Sequence, residues 1–268
     1  IKTAFLLIAL FTAAANTTAV KDPADLVDPF VHSANSRWFF FSSACRPFGM
    51  VNLSPDNLVE GAWGSGYRYN VTHIKGFSHI HAWQLAGISV LPVVGDVDPR
   101  EGPDVYGSSF THDPEQASPG YHQVHLSDYD INAELTSTTR VGLHRYTFPA
   151  DKPAKVIINL GRRLGPAEMI DGRVTRINEN ELEGYTVNGP TIRRPKPCPV
   201  FFVIQFNQSI QSLDGWQGDQ LYSDIRDVSG DSCGAVVQFR VLNTPLLAKV
   251  GISYVSIKQA RLNLNHEL

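Results

Sequence analysis

The sequence is poor in cysteine and in net charge. Three cysteines among 268 residues, Cys45, Cys198 and Cys233, fit no zinc spacing and no Cys-x-x-Cys redox pair. Two states stay open: a Cys198–Cys233 disulfide with one free thiol, or three unpaired buried thiols. A net charge of −3, with Lys and Arg scattered, leaves no electrostatic footprint for nucleic acid. The densest basic run, Arg193-Arg194-Pro195-Lys196-Pro197, is short and broken by proline, and reads as a solvated loop. After the first twenty residues no apolar run approaches the roughly 20 residues that a membrane-spanning helix needs. The Gly-x-Ser-x-Gly elbow, the phosphate loop, the dinucleotide fingerprint and the His-Glu-x-x-His helix are all absent, which removes the function classes those motifs mark. No period of about twenty to fifty residues recurs, which argues against propellers and solenoids. Acidic residues are plentiful, among them Asp56, Glu60, Asp96, Asp98, Glu134, Asp171 and Asp219, but no spacing rule selects a catalytic pair.

The chain is 43% hydrophobic and 18% charged, ordinary values for a globular protein, and long enough for one large all-β domain. Its first residues differ from the rest. Lys2, an uncharged apolar run over residues 5–11 and the small residues around Ala13–Ala15 or Thr17–Ala19 read as a secretory leader over residues 1–19. A secreted protein, extracellular or periplasmic, is therefore expected. Sequons at Asn70 and Asn207 offer glycosylation sites if the source attaches N-glycans; a third, at Asn16, falls in or beside the leader.

From about residue 27 onward, β-prone runs alternate with Gly and Pro. They cover residues 49–53, 88–91, 121–126, 141–148, 155–160, 200–206, 235–239 and 246–252. Several alternate with period two, as half-buried antiparallel strands do. The expectation is a large antiparallel two-sheet sandwich over residues 20–256. Ser256 and Gln259 then form a capping box, with Ile257, Ala260, Leu264 and Leu268 near one helical face. A helix is expected to start at Ile257. It reads as the start of a linker toward another domain, or as a helix packed on the sandwich.

Three stretches carry candidate chemistry. Trp63-Gly64-Ser65-Gly66-Tyr67-Arg68-Tyr69 sets aromatics around a flexible turn, where a ring can cover a sugar's C–H face while Arg binds hydroxyls. A β-turn with core aromatics explains it as well. In Phe77-Ser78-His79-Ile80-His81, an extended backbone places His79 and His81 on one side of a strand. The pair suits hydroxyl recognition or a structural role; a metal lacks further ligands nearby. Asn35-Ser36-Arg37-Trp38-Phe39-Phe40-Phe41 puts four aromatics in a row, which suits a cleft containing Arg37 and Trp38 or an interface with a second domain.

These strings resemble glycoside hydrolase family 92. Val27-Asp28-Pro29-Phe30 is similar to the family's opening motif. Arg46-Pro47-Phe48-Gly49-Met50-Val51-Asn52-Leu53-Ser54-Pro55-Asp56 resembles its Pro-Phe-Gly-Met-Val block. Gly64-Ser65-Gly66-Tyr67-Arg68-Tyr69 and Gly76-Phe77-Ser78-His79-Ile80-His81 are similar to its Ser-Gly-Tyr and Phe-Ser-His-x-His pair. Further likenesses follow in order at residues 117–121, 139–149 and 251–256. The resemblance implies the N-terminal β-sandwich of a calcium-dependent, inverting exo-α-mannosidase acting on mannose-containing glycans. It places the catalytic carboxylates and most calcium ligands in a C-terminal (α/α)₆ domain, so none of the catalytic residues is expected in this chain. It places Trp63 at the sugar site, with Arg68, His79 and His81 in or just behind its wall. The loops at residues 32–41 and 82–87 depart from the commoner Gly-rich and Ser-Gly-rich forms, as in a divergent branch. The competing expectation is a stand-alone lectin-like sandwich without hydrolase activity.

Overall fold

The alternating runs become strands. A computed structural model describes residues 22–34, 43–59, 66–82, 84–161, 163 and 168–268. The expected leader lies outside these residues. In chain order the elements are β1 (Ala44–Cys45), β2 (Asn52–Asp56), β3 (His73–Ile74), β4 (Gly76–Ala82), β5 (Leu85–Val93), the single turn α1 (Pro103–Tyr106), β6 (Ser108–Ser109), β7 (Gln116–Ser118), β8 (Tyr121–Leu126), β9 (Ile131–Ser137) and β10 (Val141–Thr147). There follow β11 (Pro153–Asn159), β12 (Met169–Arg176), β13 (Glu181–Asn188), β14 (Cys198–Phe206), β15 (Ser212–Gln217), β16 (Gln220–Tyr222), β17 (Asp227–Gly230), β18 (Cys233–Val241), β19 (Leu246–Ser253) and the helix α2 (Ile257–Glu267).

Two large antiparallel sheets face each other. One has eight strands in the order β1-β2-β4-β5-β11-β18-β15-β16, the other nine in the order β17-β12-β13-β14-β19-β10-β9-β8-β7; β3 and β6 pair separately. The expected two-sheet sandwich is what forms. In β14 the even positions Val200, Phe202, Ile204 and Phe206 enter the main core, while Val203 faces outward with Phe201. Fully buried Phe77, Phe202, Phe239 and Tyr146 fill the space between the sheets, each side chain worth roughly 1.5–3 kcal/mol of burial.

Polar groups also join the sheets. The buried Asn188 on β13 reaches across to β5: its Oδ1 accepts from the Ala86 N–H and its Nδ2 donates to the Ala86 carbonyl, both at 2.9 Å. A side-chain amide thus copies the pairing of a neighbouring strand.

Helix α2 lies on the outer face of the nine-stranded sheet, where Ala260 and Leu264 cluster with Val141 and Val203. Ser256 accepts from the Gln259 N–H at 3.1 Å, as the capping box predicts. The Gln259 side chain does not return to Ser256; it donates forward to Asn263 at 3.0 Å, because Asn263 is buried and bound to the Ile252 carbonyl at 2.8 Å. Of the four positions expected on the packing face, Ala260 and Leu264 are buried, Ile257 is half-buried and Leu268 stands exposed. Gly251 on β19 permits the close approach: a Cβ there would lie 2.7 Å from the Ala260 carbonyl. Arg261 bonds Glu181 and Glu183 at 2.5 and 2.6 Å, and Glu267 holds Arg140 at 2.5 Å together with the Thr138 hydroxyl.

The cysteines are all free thiols. Cys198 and Cys233 sit on β14 and β18, in different sheets, so the Cys198–Cys233 disulfide does not form here. Burial pushes the Cys233 thiol up to about 12 and raises Cys45 as well, which suppresses the thiolate in both. The basic run is not simply a solvated loop either. Its Arg194 turns inward and donates to the carbonyls of Gly189 (2.6 Å), Lys196 (2.5 Å) and Gln84 (3.2 Å), pinning the β13–β14 connection.

Candidate functional site

The site is built where β2 ends. Asp56 and Asn57 close that strand, and the chain returns at Gly66, whose carbonyl accepts from the N–H groups of Asn57 (2.6 Å) and Leu58 (3.0 Å). Asn57 then organises the returning stretch. Its Oδ1 accepts from the Arg68 N–H at 2.7 Å, and its Nδ2 donates to the carbonyls of Arg68 (2.8 Å) and Val71 (2.6 Å). Gly66 has φ 85° and seats directly on Asp56 and His81; a Cβ would lie 2.6 Å from Asp56 Oδ1. Glycine is the residue this backbone and this contact allow.

Beneath Gly66 lies a buried pair. His81 Nε2 is 2.6 Å from Asp56 Oδ1, and both side chains are sealed from solvent. His81 Nδ1 is 2.6 Å from the Asn52 carbonyl, which can only accept, so Nδ1 carries a proton. The contact to Asp56 needs a second proton, on the ring or on the carboxyl. The Ser78 hydroxyl donates to the other carboxyl oxygen. Arg68 is 8% exposed and donates to the Tyr67 carbonyl at 3.3 Å; burial lowers its pKa.

His79 faces the opposite sheet. Its Nδ1 lies 2.8 Å from the Ile88 carbonyl and its Nε2 lies 2.9 Å from His144 Nε2, while His144 Nδ1 lies 2.7 Å from the Tyr146 hydroxyl. Burial pushes His79 down to about 4 and His144 well below its ordinary value, so both rings are neutral at pH 7. The carbonyl forces the proton onto His79 Nδ1. His79 Nε2 must then accept from His144 Nε2, and His144 Nδ1 must accept from Tyr146. One tautomer of each ring satisfies the whole chain. Ile88, which supplies the carbonyl, has φ 53°, a strained setting for a β-branched residue.

A third network flanks the first. The Tyr67 hydroxyl donates to both Glu115 oxygens at 2.9 and 3.1 Å, with His112 Nδ1 at 2.5 Å and His122 Nε2 at 3.3 Å from the same carboxylate. His122 Nδ1 meets Ser43 Oγ at 2.8 Å, and His112 stacks on Tyr69 with ring centroids 3.8 Å apart. Burial and then the Glu115 charge raise the Tyr67 pKa.

Of the residues singled out from sequence, His81 lies beneath Gly66, Arg68 is held beside it by Asn57, and His79 turns instead to Ile88 and His144. The rings of His79 and His81 have both nitrogens engaged by protein groups. Trp63, Arg37 and Trp38 lie outside the described residues. Asn70 stands exposed on the turn after Arg68. Asn207 is exposed but engaged, donating to the Pro245 carbonyl at 3.1 Å and accepting from the Leu247 N–H at 2.8 Å. Among the described residues, no group of three or more His, Cys, Asp or Glu could hold a metal ion, and no helix is long and apolar enough to cross a membrane. Sequence reasoning missed Asn57, Glu115 and His144. For His144 a signal existed: period two puts it inward with Tyr146 and Phe148.

The fold has known relatives. A family model described as the glycosyl hydrolase family 92 N-terminal domain matches residues 26–253. The family GH92 alpha-mannosidase BT3965 from Bacteroides thetaiotaomicron superposes with a TM-score of 0.81 at 28% identity, over 91% of this chain and 35% of that one. The gh92 family glycosyl hydrolase ccman5 gives 0.73 at 25%, over 90% and 34%. The family GH92 inverting mannosidase BT2199 from Bacteroides thetaiotaomicron VPI-5482 shares the fold, with a TM-score of 0.80 at 21% identity over 93% and 34%. The chain therefore spans about a third of the length of these structures. No curated protein matches it in sequence. With most of its length covered by the family model and its sandwich superposing on solved members, the chain belongs to glycosyl hydrolase family 92, as that family's N-terminal domain.

Proposed function

We propose that this chain is the sandwich part of a secreted enzyme that hydrolyses terminal α-mannosidic bonds with inversion, and that it forms one wall of the sugar site. The observation that carries the reading is the family match over residues 26–253 together with the 28% identity to an α-mannosidase. In this reading Trp63 covers a sugar face and Arg68 serves its hydroxyls, with Arg37 and Trp38 bordering the same cleft. Gly66, Asp56 and His81 lie behind Arg68 in this reading. His79 stands one layer further back.

Inversion needs two carboxylates about 6.5–9.5 Å apart, one protonating the leaving oxygen and one activating water. The reading assigns both to a helical domain outside this chain. Calcium, a hard ion that binds sugar hydroxyls through oxygen coordination, belongs with that domain; the described residues here offer it no cage. The leader assigns the protein to the extracellular space or the periplasm, and Asn70 is the better placed of the two sequons for a glycan.

The test is to express the gene's whole reading frame and assay mannose release from mannobiose, with the stereochemistry followed by NMR. The whole protein is expected to release mannose in the inverted anomer, to lose most activity on Trp63→Ala and to lose activity on chelation. The 268-residue chain alone is expected to be inactive. Retention of configuration, or full activity in the Trp63→Ala protein, contradicts the reading. Tight mannoside binding by the 268-residue chain by itself favours a lectin-like module instead.

A further inference from the structure

We infer that Phe48 is an anchor by which the helical domain of the longer protein docks on this sandwich; the inference rests on the proposal that the chain is the sandwich part of such an enzyme. Arg46-Pro47-Phe48-Gly49 forms a tight turn closed by a bond from the Gly49 N–H to the Arg46 carbonyl at 2.9 Å. Pro47 stands at the second position and Phe48, with φ 60°, at the third. That is the pattern of a type II turn, whose third position is ordinarily glycine. The glycine stands one place later, for a reason of its own: a Cβ on Gly49 would lie 3.1 Å from the Arg46 carbonyl and 3.5 Å from that of Thr139. The left-handed backbone therefore falls on a residue with a large side chain, and that side chain is fully exposed, at 104%.

A strained setting persists where something over-determines it. Among the described residues nothing covers the ring, which stands fully exposed. Its location says what it serves. The Met50 and Val51 N–H groups bond the Thr139 carbonyl at 2.7 and 3.2 Å, which ties the turn to the β9–β10 connection. That same connection holds the end of α2, through Thr138 and Arg140 bound to Glu267. Polypeptide continuing from α2 starts at the end of the sandwich that carries Phe48. The solved family members are about three times as long as this chain, so the body available to cover the ring is large. An aromatic ring presented on a rigid turn is the kind of residue that dominates an interface when a pocket closes on it.

The experiment compares Phe48→Ala and Phe48→Gly in two settings. In the 268-residue chain, Phe48→Ala is expected to leave the melting temperature unchanged, and Phe48→Gly to leave it unchanged or raise it by about 2 °C, because glycine relieves the turn. In the protein made from the whole reading frame, both variants are expected to split the single melting transition and to speed protease cleavage between the two parts by roughly tenfold or more. Unchanged melting and cleavage in the whole protein overturn the proposal. So does a raised KM with docking intact, which makes the ring a sugar contact, or dimerisation of the 268-residue chain that Phe48→Ala abolishes. A reading frame that stops at Leu268 overturns it outright. If the whole protein releases no mannose but both variants loosen it, the anchor stands and the functional reading falls. If it releases mannose and both variants stay docked, the reverse holds.

Discussion

At the scale of residues, buried amides and one sealed Asp–His pair do the organising. Asn188 satisfies both backbone groups of Ala86. Asn188→Ala leaves that donor and acceptor buried without partners, and is expected to lower unfolding stability by about 2–4 kcal/mol in urea titrations. The Asp56–His81 pair is sealed. Removing one member strands the other, so Asp56→Asn and His81→Gln are each expected to cost roughly 3–5 kcal/mol, with the double variant well short of the sum. An additive pair of losses would show that the two groups do not act as a unit. The sequence displayed His79, His81 and Arg68 as candidates because unusual polar residues in a β-prone stretch stand out. It did not display their partners. Asp56 lies 25 positions from His81 and Asn188 lies 102 from Ala86, and no local pattern records a contact at that distance.

At the scale of elements, the strands that could be read were those with apolar residues on the inward face. β8 begins and ends where alternation puts it, and β10, β14 and β19 differ by a residue or two. β13 was hidden because, of its inward positions Leu182, Gly184, Thr186 and Asn188, only the first is large and apolar, while Glu181 is also buried. Gly184 cannot be larger, since its missing Cβ leaves room for the Arg173 carbonyl of β12. Helix α2 was legible from its cap, but its attachment was not. Gly251→Val on β19 is expected to push Ala260 and Leu264 off the sheet and cost about 2–4 kcal/mol, with the loss of hydrogen-exchange protection confined mainly to α2. Glu267 adds a pH dependence. Burial raises its pKa, but bonds from Thr138 and Arg140 outweigh that and leave it below the usual carboxylate range. Its contribution is thus complete above the ordinary Glu value of about 4.3 and fades as pH falls through the lower folded value. Acid is expected to release the last turn of α2, and Glu267→Gln to abolish that step in NMR-followed titrations.

At the scale of the whole molecule, the polar bridges that cross the interior among the described residues include Asn188 to Ala86, and His79 on β4 to His144 on β10. The second makes the sandwich sensitive to mild acid. Both rings are held neutral by burial, with His79 protonating only near pH 4, whereas unfolded histidine takes its proton near 6.5. Stability is therefore full above about pH 6.5 and is expected to fall by roughly 1.4 kcal/mol per ring for each pH unit below that, until the folded values are reached. His144→Gln, which keeps a donor and an acceptor but does not titrate, should about halve the slope of unfolding free energy between pH 6 and 5. An unchanged slope would place the acid sensitivity elsewhere. The bridges also bear on how the halves are aligned. Greasy surfaces slide over one another with little preference, and a slip of two residues, about 6.8 Å, would return apolar positions to apolar positions. It would also carry Asn188 away from Ala86 and His144 away from His79. The two bridges thus work as a vernier, leaving the sheets a single offset at which both marks coincide.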